Sequence, residues 1–232
     1  RKNEFNRKVI FIKILAEDFF FALFKNSEIN LCPMKLYGSL TSPYVRRIRF
    51  LLLELGVSFD LIDTMTEEGQ KELRTKNPLW KVPYFEVDDL KIWDSHTITD
   101  YLCEKNKFSQ FRDYNTETRI QELNLVNAID GALDAGINLF YLGKDGVSPN
   151  QSAYLKKQND RIASVISYVK GELKQGYFFS DRQMGRAELS LYTTLDWFDF
   201  RKVYPVAEDL DLIDFMRLHC LKTNLEKTAP PR

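Results

Sequence analysis

Apolar positions recur along this chain with two different periods, and the pattern changes near residue 115. In the first part, short strand-like runs alternate with helical stretches. Leu36 to Gly38 reads as a short apolar strand ending in the polar turn Ser39-Leu40-Thr41. Val45, Ile48, Leu52 and Leu55 then step by 3, 4 and 3, which marks one face of a helix that Gly56 should end. Val57 to Ile62 alternates as a second strand, and Glu67 to Lys76 is a short polar helix or irregular segment closed by Asn77-Pro78. Tyr84 to Val87 and Leu90 to Trp93 form a hairpin pattern turning at Asp88-Asp89. Asp94-Ser95 then caps a helix over Thr97 to Lys105, with Ile98, Tyr101 and Leu102 facing inward. The order β-α-β-α-β-β-α predicts a sheet with a parallel pair and an antiparallel edge.

Asn106 to Asn115 is polar and aperiodic, and no later stretch reads as a strand. Val126, Ile129, Leu133, Ile137 and Phe140 step by 3, 4, 4 and 3. Leu155, Ile162, Ile166, Val169 and Leu173 mark a second long helix, Ala187, Leu191, Leu195 and Phe198 a third, and Leu212, Phe215 and His219 a fourth. The expected architecture is α/β followed by all-α: a mixed domain over 34–106, a linker over 107–115 and a helical domain over 116–232. The Pro-containing tail after Thr228 is expected to be loose.

Residues 1–33 stand outside this pattern. Val9 to Phe24 is rich in Phe, Ile and Leu, but Lys13, Glu17 and Asp18 interrupt it and Lys25 follows. No uncharged run reaches the ~18 residues of a membrane helix, and no small-residue cleavage site follows. Met34 stands directly before the first strand. The expectation is that Met34 is the natural start and residues 1–33 an upstream extension; the alternative is an amphipathic segment packed on the domain or a membrane surface.

Composition is that of an ordinary globular protein: 232 residues, 44% hydrophobic and 28% charged. Lys plus Arg and Asp plus Glu balance at 33 each, and no basic run interleaves with aromatics, which argues against a nucleic-acid groove. Cys32, Cys103 and Cys220 are far apart and form no CxxC pair, so they read as free thiols in a reducing cytoplasm. His96 and His219 are the only histidines, so no metal site is expected.

Three places carry candidate chemistry. Ser42 sits at a helix N-cap with Pro43 at the first helical position. A hydroxyl beside unpaired N–H groups at the positive end of a helix dipole favours an anion, although capping alone would also explain the serine. Pro83 opens a strand in Val82-Pro83-Tyr84; a cis bond there would leave the Val82 N–H and C=O free for an extended ligand, and a trans bond fits the sequence as well. Asp94-Ser95 opens a second helix where N–H groups and a hydroxyl suit a carboxylate and Asp94 an ammonium. Together these fit an α-amino-acid head group; capping again suffices alone.

From Met34 to Lys222 the chain resembles the cytosolic glutathione transferases, in a bacterial-like, serine-type form. The resemblance rests on Leu36-Tyr37-Gly38-Ser39 with Thr41-Ser42-Pro43-Tyr44-Val45-Arg46, on Asn77-Pro78-Leu79-Trp80-Lys81-Val82-Pro83, on Asp94-Ser95 with Ile98, and on Leu195-Asp196-Trp197-Phe198-Asp199-Phe200-Arg201. It implies a thioredoxin-like N-terminal domain, an all-helical C-terminal domain, and a cytoplasmic homodimer acting in detoxification. Its implied partners are glutathione as co-substrate and a small electrophile, with no separate cofactor, nucleic acid or membrane. Ser42 falls at the position of the catalytic hydroxyl, with Thr41 a close alternative. Val82 matches the residue whose backbone pairs with the cysteinyl group, Pro83 the family's cis proline, and Lys81 a contact to the glycyl carboxylate. Asp94, usually Glu, and Ser95 match the pair that holds the γ-glutamyl end. Leu40, Tyr44, Leu139, Phe140 and Trp197 are the implied lining of the electrophile pocket, though a core role explains them equally.

Two departures stand out. Trp80 occupies a position where many relatives carry glycine, and Gly185-Arg186-Ala187-Glu188 replaces the family's Ser/Thr-x-x-Asp capping box. Glu188 is still spaced to reach back to the helix start. The resemblance implies conjugation of glutathione to electrophiles. The alternatives are a non-catalytic interaction protein and a glutathione-dependent isomerase or oxidoreductase; disulfide exchange needs a cysteine at position 42. A chain beginning at Met34 is expected to fold with an unchanged thermal midpoint; loss of folding would show that residues 1–33 belong to the fold.

Overall fold

The computed structural model describes residues 34–106, 111, 115–220 and 223–231; the extension over 1–33 and most of the expected linker lie outside the described residues. Strands β1 (Met34–Gly38), β2 (Phe59–Asp63), β3 (Tyr84–Val87) and β4 (Leu90–Trp93) form one sheet in the order β2-β1-β3-β4. β1 and β2 run parallel, with Leu36 opposite Leu61. Helix α1 (Pro43–Glu54) makes the crossover between them. β3 pairs antiparallel with both β1 and β4, and Leu36 lies opposite Phe85. The expected order of elements along the chain, the parallel pair and the hairpin are present, with β1 longer at its start and β2 displaced toward Asp63.

Strand alternation sends side chains to two layers. Leu36 and Phe85 join Val45, Ile48 and Leu52 of α1 in the main core. Tyr37 and Tyr84 point the other way, onto Leu73 of α2 (Glu67–Lys76). Gly38 is required where β1 meets α1, because a Cβ there would lie 2.3 Å from a Val45 methyl. At the far end of α1, Gly56 adopts φ +64°; its N–H donates to the Leu53 carbonyl and the Val57 N–H to Leu52, closing the helix.

Helix α3 (Ser95–Asn106) follows the sheet. The helical part contains α4 (Thr116–Lys144), α5 (Ala153–Glu172), α6 (Arg186–Arg201), α7 (Leu210–Cys220) and the short α8 (Thr223–Lys227), which lacks a periodic signature long enough to read. Buried Val126, Ile129, Leu133, Ile162, Leu195 and Phe198 follow the expected periodicities. The start of α6 has no hydroxyl cap. Instead Glu188 accepts from the Gly185 N–H at 2.8 Å and the Phe178 N–H at 2.9 Å, and Glu122 of α4 accepts from Ala187 N–H at 3.4 Å. Carboxylates from inside the helix and from a neighbour thus replace the missing cap.

The two parts of the chain are joined through α1. Arg46 and Arg47 are 3% and 4% exposed. Arg46 pairs with Asp196 of α6 and also donates to the Leu225 carbonyl of α8 at 2.9 Å. Arg47 pairs with Asp130 of α4 at 2.7 Å and donates to Thr193 Oγ1 at 3.0 Å. Arg49 donates to the Thr228 carbonyl at 3.2 Å. These contacts correct the expected loose tail: Thr228 and Pro230 are buried, and Ala229 N–H donates to the Glu226 carbonyl. Cys103 and Cys220 are free thiols, while Cys32 lies outside the described residues.

Removing one partner of a buried ion pair strands the other charge. Arg46→Ala or Asp196→Ala is therefore expected to cost about 3–5 kcal/mol in urea denaturation. The double replacement Arg46→Met with Asp196→Leu is expected to recover most of that loss, since no buried charge remains.

Candidate functional site

The N-terminus of α1 opens directly after β1. Ser42 has extended backbone angles (φ −78°, ψ 124°), and its Oγ accepts from the Val45 N–H at 3.3 Å. That geometry occupies a lone pair and leaves the hydroxyl proton free to donate outward. Pro43 has no N–H to leave unpaired. Beside Ser42, the Ser39 and Thr41 hydroxyls lie 3.2 Å apart.

The facing loop is built on Asn77, which is 1% exposed. Its Nδ2 donates to the Lys81 carbonyl at 2.8 Å and its Oδ1 accepts from the Leu79 N–H at 3.0 Å. This turn carries Trp80 at φ 55°, in the left-handed region that favours glycine. The Trp80 ring is largely exposed beneath the Arg74 guanidinium, 5.1 Å from its centroid. Val82-Pro83 is cis. Among the described residues, no hydrogen bond engages the Val82 N–H or C=O.

Asp94 and Ser95 sit at the start of α3, where sequence places them. Asp94, at φ 76°, accepts from the His96 N–H at 2.8 Å, so its carboxylate is itself the cap and Ser95 is the first helical residue. Ser95 is buried.

Two residues of α4 complete this region, and sequence reasoning missed both. Asp130 lies between Arg47 (2.7 Å) and His96 Nε2 (2.7 Å). Burial alone would raise its carboxyl pKa, but the Arg47 and His96 partners outweigh it and hold the group below the usual carboxylate range. Asp134 accepts the Tyr44 hydroxyl at 2.7 Å. Burial, the Asp130 charge and the Asp134 bond push the Tyr44 phenol well above its usual range despite Arg47, whose guanidinium lies 4.9 Å from the ring centroid. Tyr44 is therefore a neutral phenol whose proton is committed to Asp134. The missed signal was two acids at i, i+4 on a helix face otherwise marked by apolar residues.

These residues frame two adjoining clefts. One, of about 240 Å3, is lined by Pro83, Asp94, Ser95, His96 and Asp130 among others. The other, of about 380 Å3, is lined by Thr41, Ser42, Trp80, Phe140, Trp197 and Arg201 among others. Tyr44, Lys81, Val82 and Asp134 line both. Leu40, expected in the electrophile pocket, is exposed in the turn after β1 and lines neither cleft. Leu139 likewise lines neither.

Sequence comparison decides the family. Residues 36–109 match the profile of the glutathione S-transferase N-terminal domain. Glutathione S-transferase F13 of Arabidopsis thaliana is 35% identical over 160 residues, covering 64% of this chain and 73% of that protein. The chain belongs to the glutathione S-transferase family. An uncharacterized GST-like protein of Escherichia coli, YibF, is 26% identical over 204 residues, covering 86% of this chain and all of that one. Among solved structures, a glutathione S-transferase from Methylobacillus flagellatus with glutathione bound superposes with a TM-score of 0.75 at 20% identity, covering 85% of this chain and 100% of that one. The thioredoxin-like plus all-helical architecture of this transferase-family chain is thus shared with its structural neighbours.

The Asp130 pair makes stability acid-sensitive with a definite sign. Its folded pKa is depressed, so its contribution is complete above the unfolded value of about 3.9 and is lost as pH falls through the folded value. Asp130→Asn is expected to be less stable than the parent at pH 7, with a gap that narrows below pH ~4. Urea midpoints of both proteins across acid pH measure it; a gap independent of pH would refute the assignment.

Proposed function

We propose that this family member is a glutathione transferase that activates the glutathione thiol for attack on small electrophiles, and that it works as a cytoplasmic homodimer in detoxification. The observation that carries the reading is the Ser42 hydroxyl at the start of α1, oriented by the Val45 N–H and facing a cleft continuous with the one at Asp94-Ser95. On this reading the tripeptide spans both clefts. Its γ-glutamyl end lies by Asp94 and Ser95, its cysteinyl backbone by Val82, its glycyl carboxylate by Lys81 and its sulfur by Ser42.

A free thiol has a pKa of ~8.5, so only a few per cent is ionised at neutral pH. A donated hydroxyl proton and the helix N-terminus both favour the thiolate. Lowering the pKa by two units needs about 2.7 kcal/mol, within the range of one charge-assisted hydrogen bond with a helix dipole. The thiol proton leaves to solvent. The thiolate then forms a C–S bond, and the leaving group departs with its electron pair. Ser42 donates a hydrogen bond throughout and forms no covalent intermediate. Serine at this position disfavours the oxidoreductase alternative, because a hydroxyl cannot form the mixed disulfide that thiol exchange requires.

Ser42→Ala is expected to remain on glutathione-agarose while its conjugation rate at pH 7 falls about 10- to 100-fold. The apparent pKa of its rate profile should move upward. Unchanged turnover would refute the role of Ser42, and failure of the parent to bind the resin would favour the non-catalytic alternative.

A further inference from the structure

The larger cleft has a cationic end that the transferase reading does not use. Arg201 closes it from the last turn of α6. Its guanidinium lies 4.8 Å from the Phe140 ring centroid and 4.4 Å from that of Phe200. Its Nε is buried and makes no hydrogen bond. Among the described residues no carboxylate pairs with Arg201, unlike Arg46, Arg47 and Arg186, each of which has one. Lys144, exposed and outside the cleft lining, lies 4.8 Å from the same Phe140 ring. The carboxylate that does line the cleft, Asp134, accepts the Tyr44 hydroxyl.

The adjoining walls are aromatic. Phe140 packs edge-on against Trp197 at 5.8 Å and against Tyr141 at 5.3 Å. Such walls suit a flat ring, and a planar guanidinium that lines the cleft without a carboxylate partner suits a carboxylate at its edge.

We propose that the electrophile of this transferase is a planar aromatic compound bearing a carboxylate, with Arg201 binding the anion while the ring lies among Phe140, Tyr141 and Trp197. Arg201 thereby determines substrate specificity. The proposal rests on the larger cleft being the electrophile side of a transferase. With a chlorinated ring as the electrophile, the glutathione sulfur bonds to the ring carbon that carries chlorine, and chloride leaves with the electron pair of the broken C–Cl bond.

The test compares 4-chloro-3,5-dinitrobenzoate with neutral 1-chloro-2,4-dinitrobenzene. Arg201→Gln is expected to lower the ratio of kcat/KM, anionic over neutral, by about tenfold or more, and Arg201→Lys to recover part of it. A ratio unchanged within about twofold would overturn the proposal. Binding without turnover is measured in parallel, by quenching of tryptophan fluorescence with 3,5-dinitrobenzoate and 1,3-dinitrobenzene. The parent should prefer the benzoate, and Arg201→Gln should lose that preference. If the parent conjugates neither chloride, the transferase reading fails, and the binding comparison still decides the anion site. Equal affinity of the parent for the two ring compounds would overturn it.

Discussion

Helix α1 must hold two guanidinium groups out of water. A buried charge is tolerated only when it is paired and hydrogen-bonded, so Arg46 and Arg47 dictate where α4, α6 and α8 can sit. Arg46 draws in Asp196 and the Leu225 carbonyl; Arg47 draws in Asp130 and the hydroxyls of Thr193 and Thr194. The same helix carries Ser42 at its N-terminus. Fixing the helical part against α1 therefore also fixes which helical side chains face the Ser42 hydroxyl.

Asp130 links this scaffold to the chemistry. One oxygen meets Arg47 and the other meets His96, whose own backbone N–H is held by Asp94. A carboxylate that ties the two parts together thus also lines the cleft at Asp94 and Ser95. One turn along α4, Asp134 anchors Tyr44 on the boundary shared by the two clefts. The site is polar and acid-rich on the Asp94 side and aromatic with a cationic end on the Phe140 side. That asymmetry suits a peptide-like ligand in one part and a ring compound in the other.

The departures from the family pattern have local physical accounts. Trp80 accepts a backbone conformation natural to glycine because Asn77 bonds both flanks of the turn, and its ring becomes part of the larger cleft. Gly185 supplies no cap, and Glu188 and Glu122, both buried, accept the N–H groups instead.

Local order was legible in the residues. Glu67–Lys76, Tyr84–Val87 and Leu90–Trp93 occupy the positions their patterns indicate, because strand alternation, helix periodicity and capping act over a few residues. Ser42, Asp94 and Ser95 were legible for the same reason, since each begins a helix. Periodicity also marked which faces of α4 and α5 are buried, whereas α6 is buried all round from Ala187 to Phe198. It could not say which charge would meet which. Arg47 and Asp130 lie far apart along the chain, and only the packing of α4 on α1 turns them into a pair. The same holds for Tyr44 with Asp134, for Arg46 with the chain end at Leu225 and Thr228, and for Arg201 at the end of the aromatic cleft. Leu40 marks the converse limit, since its neighbours in sequence line the cleft while its own side chain faces solvent. Residue spacing specifies a face of one element; the direction a side chain takes toward another element is settled only when the two pack.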